Sequence, residues 1–257
     1  MAVIEHKHVL RRLVGLEPYL DQVRSMPDVD LDELIDENIG AAQSHFEREL
    51  EMCLERTVIK QDPDEGEVEG VDYDLHEPPL DFERHSFRRL PRFRMRRRPI
   101  ISVDRMVMRF AEHSSIPTFT VPEFWMRIQH NLGIVSIFPV PGAGMVLTQE
   151  GFPFLPLLLE GAPWPVIPQL IRVNYTAGYQ SPATDPELRD LRRHLAADAA
   201  YMTMQDIRDL LPSSVSIDGA SQQFDAVMQR LENRRQEIDD FFDEWRAKHL
   251  PAKMLVI

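Results

Sequence analysis

Apolar residues near the start of the chain recur at steps of three and four, which is the spacing of one buried helix face. The stripe consists of Leu31, Leu34, Ile35, Ile39, Ala42, Phe46, Leu50 and Leu54. It predicts a long helix from about Leu31 to Arg56, with Asp28 or Asp30 as the N-cap because a carboxylate there accepts backbone N–H groups. A shorter apolar pattern predicts a preceding helix over Val9–Leu20.

The middle of the chain has the spacing of strands. Ile100–Val103 predicts one strand, and Phe124–Ile128 and Gly133–Pro139 flank a turn-prone segment, which is the pattern of a hairpin. Ile171–Ala177 alternates apolar and polar residues, so it predicts a half-buried strand. The proline-rich segment Phe152–Pro168 is predicted to be irregular and to pack over the sheet.

Helical spacing returns in the last third of the chain, where it predicts helices from about Pro186 to Leu210 and from about Ser221 to Lys248. Their inner faces consist of Leu188, Leu191, Leu195, Ala199, Met202 and Ile207, and of Phe224, Met228, Leu231, Ile238, Phe242 and Trp245. The order of elements predicts an α+β protein. A helical bundle, made of the long N-terminal helix and two C-terminal helices, carries an inserted β-rich domain and an extended C-terminal tail.

Five segments follow from these patterns and from the shifts in composition between them. They are the N-terminal helices of the bundle (1–60), a charged arm (61–98), the β-rich insert (99–180), the C-terminal helices (181–249) and an apolar tail (250–257). The charged arm is first acidic and then basic, and it contains few apolar residues. Such a composition cannot build its own core, so the arm is predicted to be flexible or ordered by a partner.

The basic half of the charged arm is the strongest local electrostatic feature of the sequence. Its candidate contact residues are Arg88, Arg89, Arg92, Arg94, Arg96, Arg97 and Arg98. The chain as a whole carries a net charge of −13, which argues against general nucleic-acid binding because that requires a basic surface. Contact with an acidic partner protein is therefore favoured, and a DNA-binding regulator that uses Arg84–Arg98 stays open as an alternative.

The tail is the second candidate site because it is apolar up to its last residue. Its candidate contact residues are Leu250, Pro251, Met254, Leu255, Val256 and Ile257. An exposed run of this kind is prone to aggregation unless it is covered. We expect it to add a strand to the edge of another chain, and the alternative is that it folds back as a core strand.

Motifs for chemistry are missing from the sequence. It has no nucleotide-binding glycine loop, no Gly-x-Ser-x-Gly turn and no histidine or cysteine spacing typical of a metal site. We therefore expect no cofactor, no metal and no enzymatic activity. The alternative is an unrecognised enzyme whose site is assembled from scattered residues such as Asp104, Arg105, His113 and Glu123, and no motif supports it.

Two further expectations concern cellular location and redox chemistry. No apolar run is long enough to span a bilayer, so we expect a protein that is made in the cytoplasm and does not enter a membrane. Cys53 is the only cysteine, which leaves no intrachain disulfide, and it is expected to be a buried and inert thiol on the long N-terminal helix.

Several short segments resemble the head–tail connector, or adaptor, proteins of tailed bacteriophages and related gene transfer particles. These segments are Asp36–Ala42 on the first long helix, Arg98–Val103 at the start of the insert, the strand Arg172–Tyr179, the alanine-rich helix after it and the loop Ser214–Gly219. The resemblance covers roughly residues 28 to 248.

The resemblance implies a virion structural protein of the phage neck. Connector proteins form a ring, usually a dodecamer, that docks on the portal protein, joins the capsid to the tail and extends the channel through which DNA passes without sequence-specific contact. The implied partners are the portal protein, the next tail or neck protein and further copies of the chain. In this reading the tail anchors to the portal or to a neighbouring copy, and the basic arm contacts an acidic partner surface.

Overall fold

The computed structural model describes residues 3–27, 29–83, 92–109, 118–138, 166–210 and 220–249. It contains both helices and sheets, which confirms the mixed α+β class. The chain divides into two compact units. One, the helical unit, combines Met1–Glu55 with Ser181–Ile257, and the other, the β unit, is Arg56–Gln180.

The helical unit begins with two short helices, α1 (His6–Leu10) and α2 (Glu17–Arg24). The single helix predicted over Val9–Leu20 is therefore wrong. The chain turns between the two helices, where Gly15 has a φ of +98°, a conformation that glycine adopts without steric cost. The amide of Gly15 donates a hydrogen bond to the carboxylate of Glu17, which holds the start of α2.

The long N-terminal helix, α3 (Leu31–Leu50), confirms the apolar stripe found in the sequence. Asp30 is its N-cap, and its carboxylate accepts hydrogen bonds from the amides of Asp32 and Glu33 at 2.9 and 3.4 Å. The helix ends earlier than predicted because Glu51 adopts a left-handed conformation, with a φ of 50°. Cys53 is buried as expected, but it lies beyond the helix.

Two long helices complete this unit, α4 (Arg189–Leu210) and α5 (Ala220–His249). Both agree with the predicted helices to within a few residues at their starts. α4 contacts α3 and α5, and four alanines between 196 and 200 are buried along it. Small side chains of this kind allow neighbouring helices to approach closely.

The described part of the β unit contains nine strands. They are β1 (Thr57–Lys60), β2 (Leu75–His76), β3 (Leu80–Glu83), β4 (Arg92–Arg94), β5 (Ile100–Met108), β6 (Phe119–Thr120), β7 (Met126–Gln129), β8 (Ile134–Ile137) and β9 (Val166–Ala177). The main sheet has the order β2–β1–β9–β5–β6, and β3 also pairs with β9. Its strands pair antiparallel except for β1 and β2.

The central strand β9 differs from its prediction in two ways. It begins at Val166, so the last three residues of the segment predicted to be irregular are in a strand; residues 152–165 lie outside the described residues. From Val173 to Ala177 it is also buried on both faces, because Val173 and Tyr175 have no exposed surface and Asn174 and Thr176 are almost fully buried. The alternation in the sequence does not reflect solvent exposure here.

A second sheet has three antiparallel strands in the order β4–β8–β7. The predicted hairpin is confirmed as β7 and β8, which are joined by a short 3-10 helix, His130–Leu132, and by Gly133. Gly133 has a φ of +65°, and an added Cβ would come within 3.1 Å of the Cβ of Arg98. Both observations favour glycine at this turn.

The prediction of a flexible charged arm is wrong for the residues that the structure describes. Residues 61–83 and 92–98 are part of the β unit and contribute strands to both of its sheets. Several of the acidic residues pair with basic residues of the same unit. Asp62 and Glu77 are buried, and Asp62 lies 3.0 Å from Arg172 and 3.3 Å from Arg109.

Candidate functional site

Two arginines of the predicted basic cluster share one face of the second sheet. Arg92 and Arg94 are exposed on β4, and Phe93 between them is buried. Successive side chains of a strand point to opposite faces, so the two arginines lie on the same side. Phe93 anchors the strand through its other face, where it pairs with Val135 of β8.

A third arginine, which the sequence reasoning missed, joins this face. Ser136 on β8 pairs with Arg92 on one side and with Arg127 of β7 on the other. Directly paired residues of an antiparallel sheet point to the same face, and Arg127 is exposed. We call Arg92, Arg94 and Arg127 the basic face. The alternation of Arg127 with Met126 and Ile128 in the sequence could have indicated it.

The remaining members of the predicted basic cluster fall into different environments. Arg96 is exposed just after β4. Arg97 is half-buried, with its Nε 4.0 Å from the Oε1 atom of Glu77. Arg98 is only 7% exposed, so little of its side chain is available for the predicted contact with a partner. Arg88 and Arg89 lie outside the described residues.

A buried polar network holds the start of the charged arm against β9. The Oδ1 atom of Asn174 accepts hydrogen bonds from the amides of Gln61 and Asp62 at 3.1 and 3.0 Å, and its Nδ2 donates to the carbonyl of Asp62. On the same strand, the hydroxyl of Tyr175 donates to Glu77 at 2.9 Å. The network satisfies buried backbone groups that would otherwise destabilise the fold.

Charge is distributed unevenly between the two units. The β unit contains 14 Lys and Arg against 15 Asp and Glu, which gives a net charge of −1. The helical unit therefore carries −12 of the total of −13. The basic face thus lies on a nearly neutral unit of a strongly acidic chain.

The helical unit contains a polar cluster that the sequence reasoning also missed. The Asp198 side chain has no exposed surface, and its Oδ2 lies 3.2 Å from the Nδ1 of His45. Arg235 approaches the other carboxylate oxygen at 3.8 Å and stacks over the ring of Tyr201 at 4.8 Å. The only sign of this cluster in the sequence is a single aspartate within the run of alanines on the inner face of α4.

The residues considered for an enzyme are engaged elsewhere or exposed. Asp104 is exposed and accepts a hydrogen bond from Ser102, and Arg105 pairs with Asp64 at 2.9 Å. Glu123 is exposed at the start of a 3-10 helix, and His113 lies outside the described residues. No three His, Cys, Asp or Glu side chains in the described part of the chain are placed to hold a metal ion.

The apolar tail, including Leu250, Pro251, Met254, Leu255, Val256 and Ile257, lies outside the described residues. Among the helices that the structure describes, none combines the length and the apolar composition needed to cross a bilayer.

Comparison of the sequence with known proteins gave no match, either to a family model or to a curated protein.

Proposed function

We propose that this chain is a head–tail connector: a virion structural protein that forms a ring, docks on a portal and joins a capsid to a tail. In this proposal the chain acts by binding other proteins and not by catalysing a reaction. The partners are the portal protein, the next neck or tail protein and other copies of the chain. DNA passes through the ring without sequence-specific contact.

One observation supports this proposal most directly. The helical unit is interrupted by a β unit, and that β unit presents a basic face. The first and last strands of the β unit pair with each other, Thr57 with Ala177, so the chain enters and leaves this unit at neighbouring positions. An insertion with adjacent ends can be accommodated without disturbing the helices on either side. We take α3, α4 and α5 as the bundle of the resembling connectors.

The charge distribution supports separate roles for the two units. The helical unit carries −12, and a negative surface repels the phosphate backbone, which suits a channel through which DNA slides. Arg92 and Arg127 are exposed on the β unit, and they suit contact with an acidic surface of a partner protein or of a neighbouring copy. In a closed ring, each subunit contacts its two neighbours through two different surface patches. The acidic helical unit and the basic face of the β unit provide two patches of opposite charge.

The tail has a role of its own in this proposal. Leu250 and the residues that follow it would anchor the chain to the portal or to a neighbouring copy by strand addition. A chain truncated after His249 would then fold and keep its thermal stability but fail to assemble. Loss of stability in the truncated monomer would instead identify the tail as part of the core.

The direct test mixes the purified chain with rings of the portal protein from the same genome and measures the mass of the products. The proposal predicts a discrete complex with the chain arranged around the portal ring. Failure to join the ring at any salt concentration tested would contradict it.

The basic face also supports a second candidate, a DNA-binding regulator, because Arg92 and Arg127 are exposed on one face of a sheet. Neutralising phosphates with these side chains would release counterions, so binding would weaken steeply as salt increases. Tight binding to duplex DNA with such a salt slope, lost in Arg92→Glu/Arg127→Glu, would favour this candidate over the connector.

A further inference from the structure

Arginines from three elements of the helical unit come together at one place on its surface. On α5, the Nη2 atom of Arg230 donates a hydrogen bond to the backbone carbonyl of Arg12, which follows α1, at 3.2 Å. Arg234 lies one turn after Arg230 on the same face of α5. Both arginines of α5 are exposed, and Arg12 is half-buried. The end of α1 therefore lies beside a basic stretch of α5.

Helix α4 brings a fourth arginine to this place. The ring of His194 stacks on the ring of Phe241, with 4.4 Å between the centroids. Phe241 lies two turns after Arg234 along the same face of α5. Arg193 precedes His194 on α4 and is exposed. We call the four residues the arginine cluster, which consists of Arg12, Arg193, Arg230 and Arg234.

The arginine cluster carries more positive charge than the side chains around it neutralise. Arg234 pairs with Glu237 at 2.9 Å, and Arg193 lies 3.9 Å from Asp190. The other two members have no carboxylate within ion-pair distance among the residues that the structure describes. Two positive charges are therefore left over, on a unit whose net charge is −12.

This excess charge is least favourable at Arg12. Burial lowers the pKa of Arg12, and the charges of the other three arginines, Arg234 first, lower it further. The guanidinium still remains charged, because its ordinary pKa lies far above neutral pH. An anion held between these groups would replace repulsion by attraction, so the folded chain is favoured to bind one.

The arrangement of the cluster and its surroundings select the kind of anion. The guanidinium groups come from three separate elements, which suits the oxygens of a tetrahedral phosphate better than the two oxygens of a planar carboxylate. The charge of −12 on the rest of the unit repels an extended polyanion such as nucleic acid. A small anion meets chiefly the nearby charges, because salt screens those beyond about 8 Å.

We propose that the arginine cluster binds a phosphate dianion, to which the side chains of Arg12 and Arg230 donate hydrogen bonds. A guanidinium has five N–H donors, so Arg230 can keep its bond to the backbone and still reach the ligand. Arg193 and Arg234 add positive charge around it. The phosphate can be a free ion or the end group of a small molecule, and the recognition chemistry is the same. The connector proposal does not depend on this site.

Calorimetric titration of the full chain with inorganic phosphate, in chloride buffer at constant ionic strength, tests this proposal. Phosphate should bind at millimolar concentration or below. Acetate, a planar monoanion, should bind at least about tenfold more weakly. Ribose 5-phosphate separates the two sources: tighter binding than that of inorganic phosphate identifies a small molecule, and equal or weaker binding identifies the free ion.

Two variants locate the binding. Arg12→Gln/Arg230→Gln should weaken the binding of phosphate at least about tenfold, because charge-assisted hydrogen bonds are lost. Arg208→Gln removes an exposed arginine of α4 outside the cluster and should leave the binding unchanged. Equal loss of binding in both variants would overturn the proposal.

Two further results would also overturn it. One is equal binding of phosphate and acetate, or no binding of phosphate at millimolar concentration. That comparison uses the unmodified chain, so it holds even if Arg12→Gln/Arg230→Gln does not fold. The other is a short DNA duplex that binds more tightly than phosphate and loses this binding in the same variant, since the ligand of the cluster would then be nucleic acid.

Discussion

Thr57 at the start of β1 pairs with Ala177 at the end of β9, so the two ends of the β unit lie on adjacent antiparallel strands. The same end of β9 pairs with Ile100 of β5 on its other side. The segment that interrupts the helical unit is therefore closed by its own sheet.

The fragment 56–180 is expected to fold by itself, because both of its sheets and their pairings are internal to it. A dispersed NMR spectrum and a cooperative unfolding transition would confirm this. A matched fragment, 61–180, lacks β1, which lies between β2 and β9, and it should remain unfolded. Equal folding of the two fragments would show that the pairing of Thr57 with Ala177 does not close the unit.

Asn174→Ala is expected to lower the free energy of unfolding by about 3 kcal/mol, because the substitution leaves the buried amides of Gln61 and Asp62 without an acceptor. Asn131→Ala, at an exposed position of the same unit, should cost less than about 0.5 kcal/mol. Urea unfolding of both variants measures the difference. Equal stabilities would mean that the Asn174 network does not hold this segment.

His194 is expected to make the stability of the helical unit depend on pH. Burial against the stacked ring of Phe241 lowers the pKa of His194; Glu237 opposes this shift, and Arg193 and Arg234 add to it. The unfolded chain therefore takes up this proton at a higher pH than the folded chain. The free energy of unfolding should fall as the pH drops below the ordinary histidine value of about 6.5, and this fall stops below the folded-state pKa.

Replacing His194 by Phe keeps a ring against Phe241 and removes the titrating group. The free energy of unfolding of His194→Phe should therefore fall less between pH 7.5 and pH 5 than that of the unmodified chain. Urea titrations at several pH values give both curves. If the two curves run parallel through this range, the pH dependence does not come from His194.

In the connector proposal, charge reversal of the basic face weakens association of the chain with the portal ring. Arg92 and Arg127 are both exposed and lie on the same face, so Arg92→Glu/Arg127→Glu should lower affinity at least about tenfold, with the largest effect at low salt. Arg208→Glu, at an exposed position near the end of α4, is the control and should have little effect. Sedimentation of each variant with portal rings measures the loss.

The sequence predicted the long helices well because their apolar stripes are regular and their ends carry local signals. Asp30, one of the two predicted caps, is the N-cap of α3, and the hairpin of β7 and β8 follows from its own turn. The prediction of a single first helix was wrong because Gly15 interrupts an otherwise helical pattern. Local signals of this kind are visible in a sequence.

Errors arose where the partner of a residue lies far along the chain. Asp62 is paired with Arg172, 110 positions away, so the composition of the acidic stretch could not reveal that this charge is paired. The polar residues of β9 were taken as solvent-facing, yet Asn174 bonds to the backbone of Asp62. Asp198 was missed for the same reason, since only the packing of α3 and α5 against α4 gives it its surroundings.

The most direct test of the connector proposal is electron microscopy of the full chain mixed with portal rings from the same genome. We expect rings with an added layer of density on one side and a matching gain in mass, reduced by Arg92→Glu/Arg127→Glu and retained by Arg208→Glu. Portal rings that remain bare at every protein and salt concentration, with the chain free in solution, would contradict it.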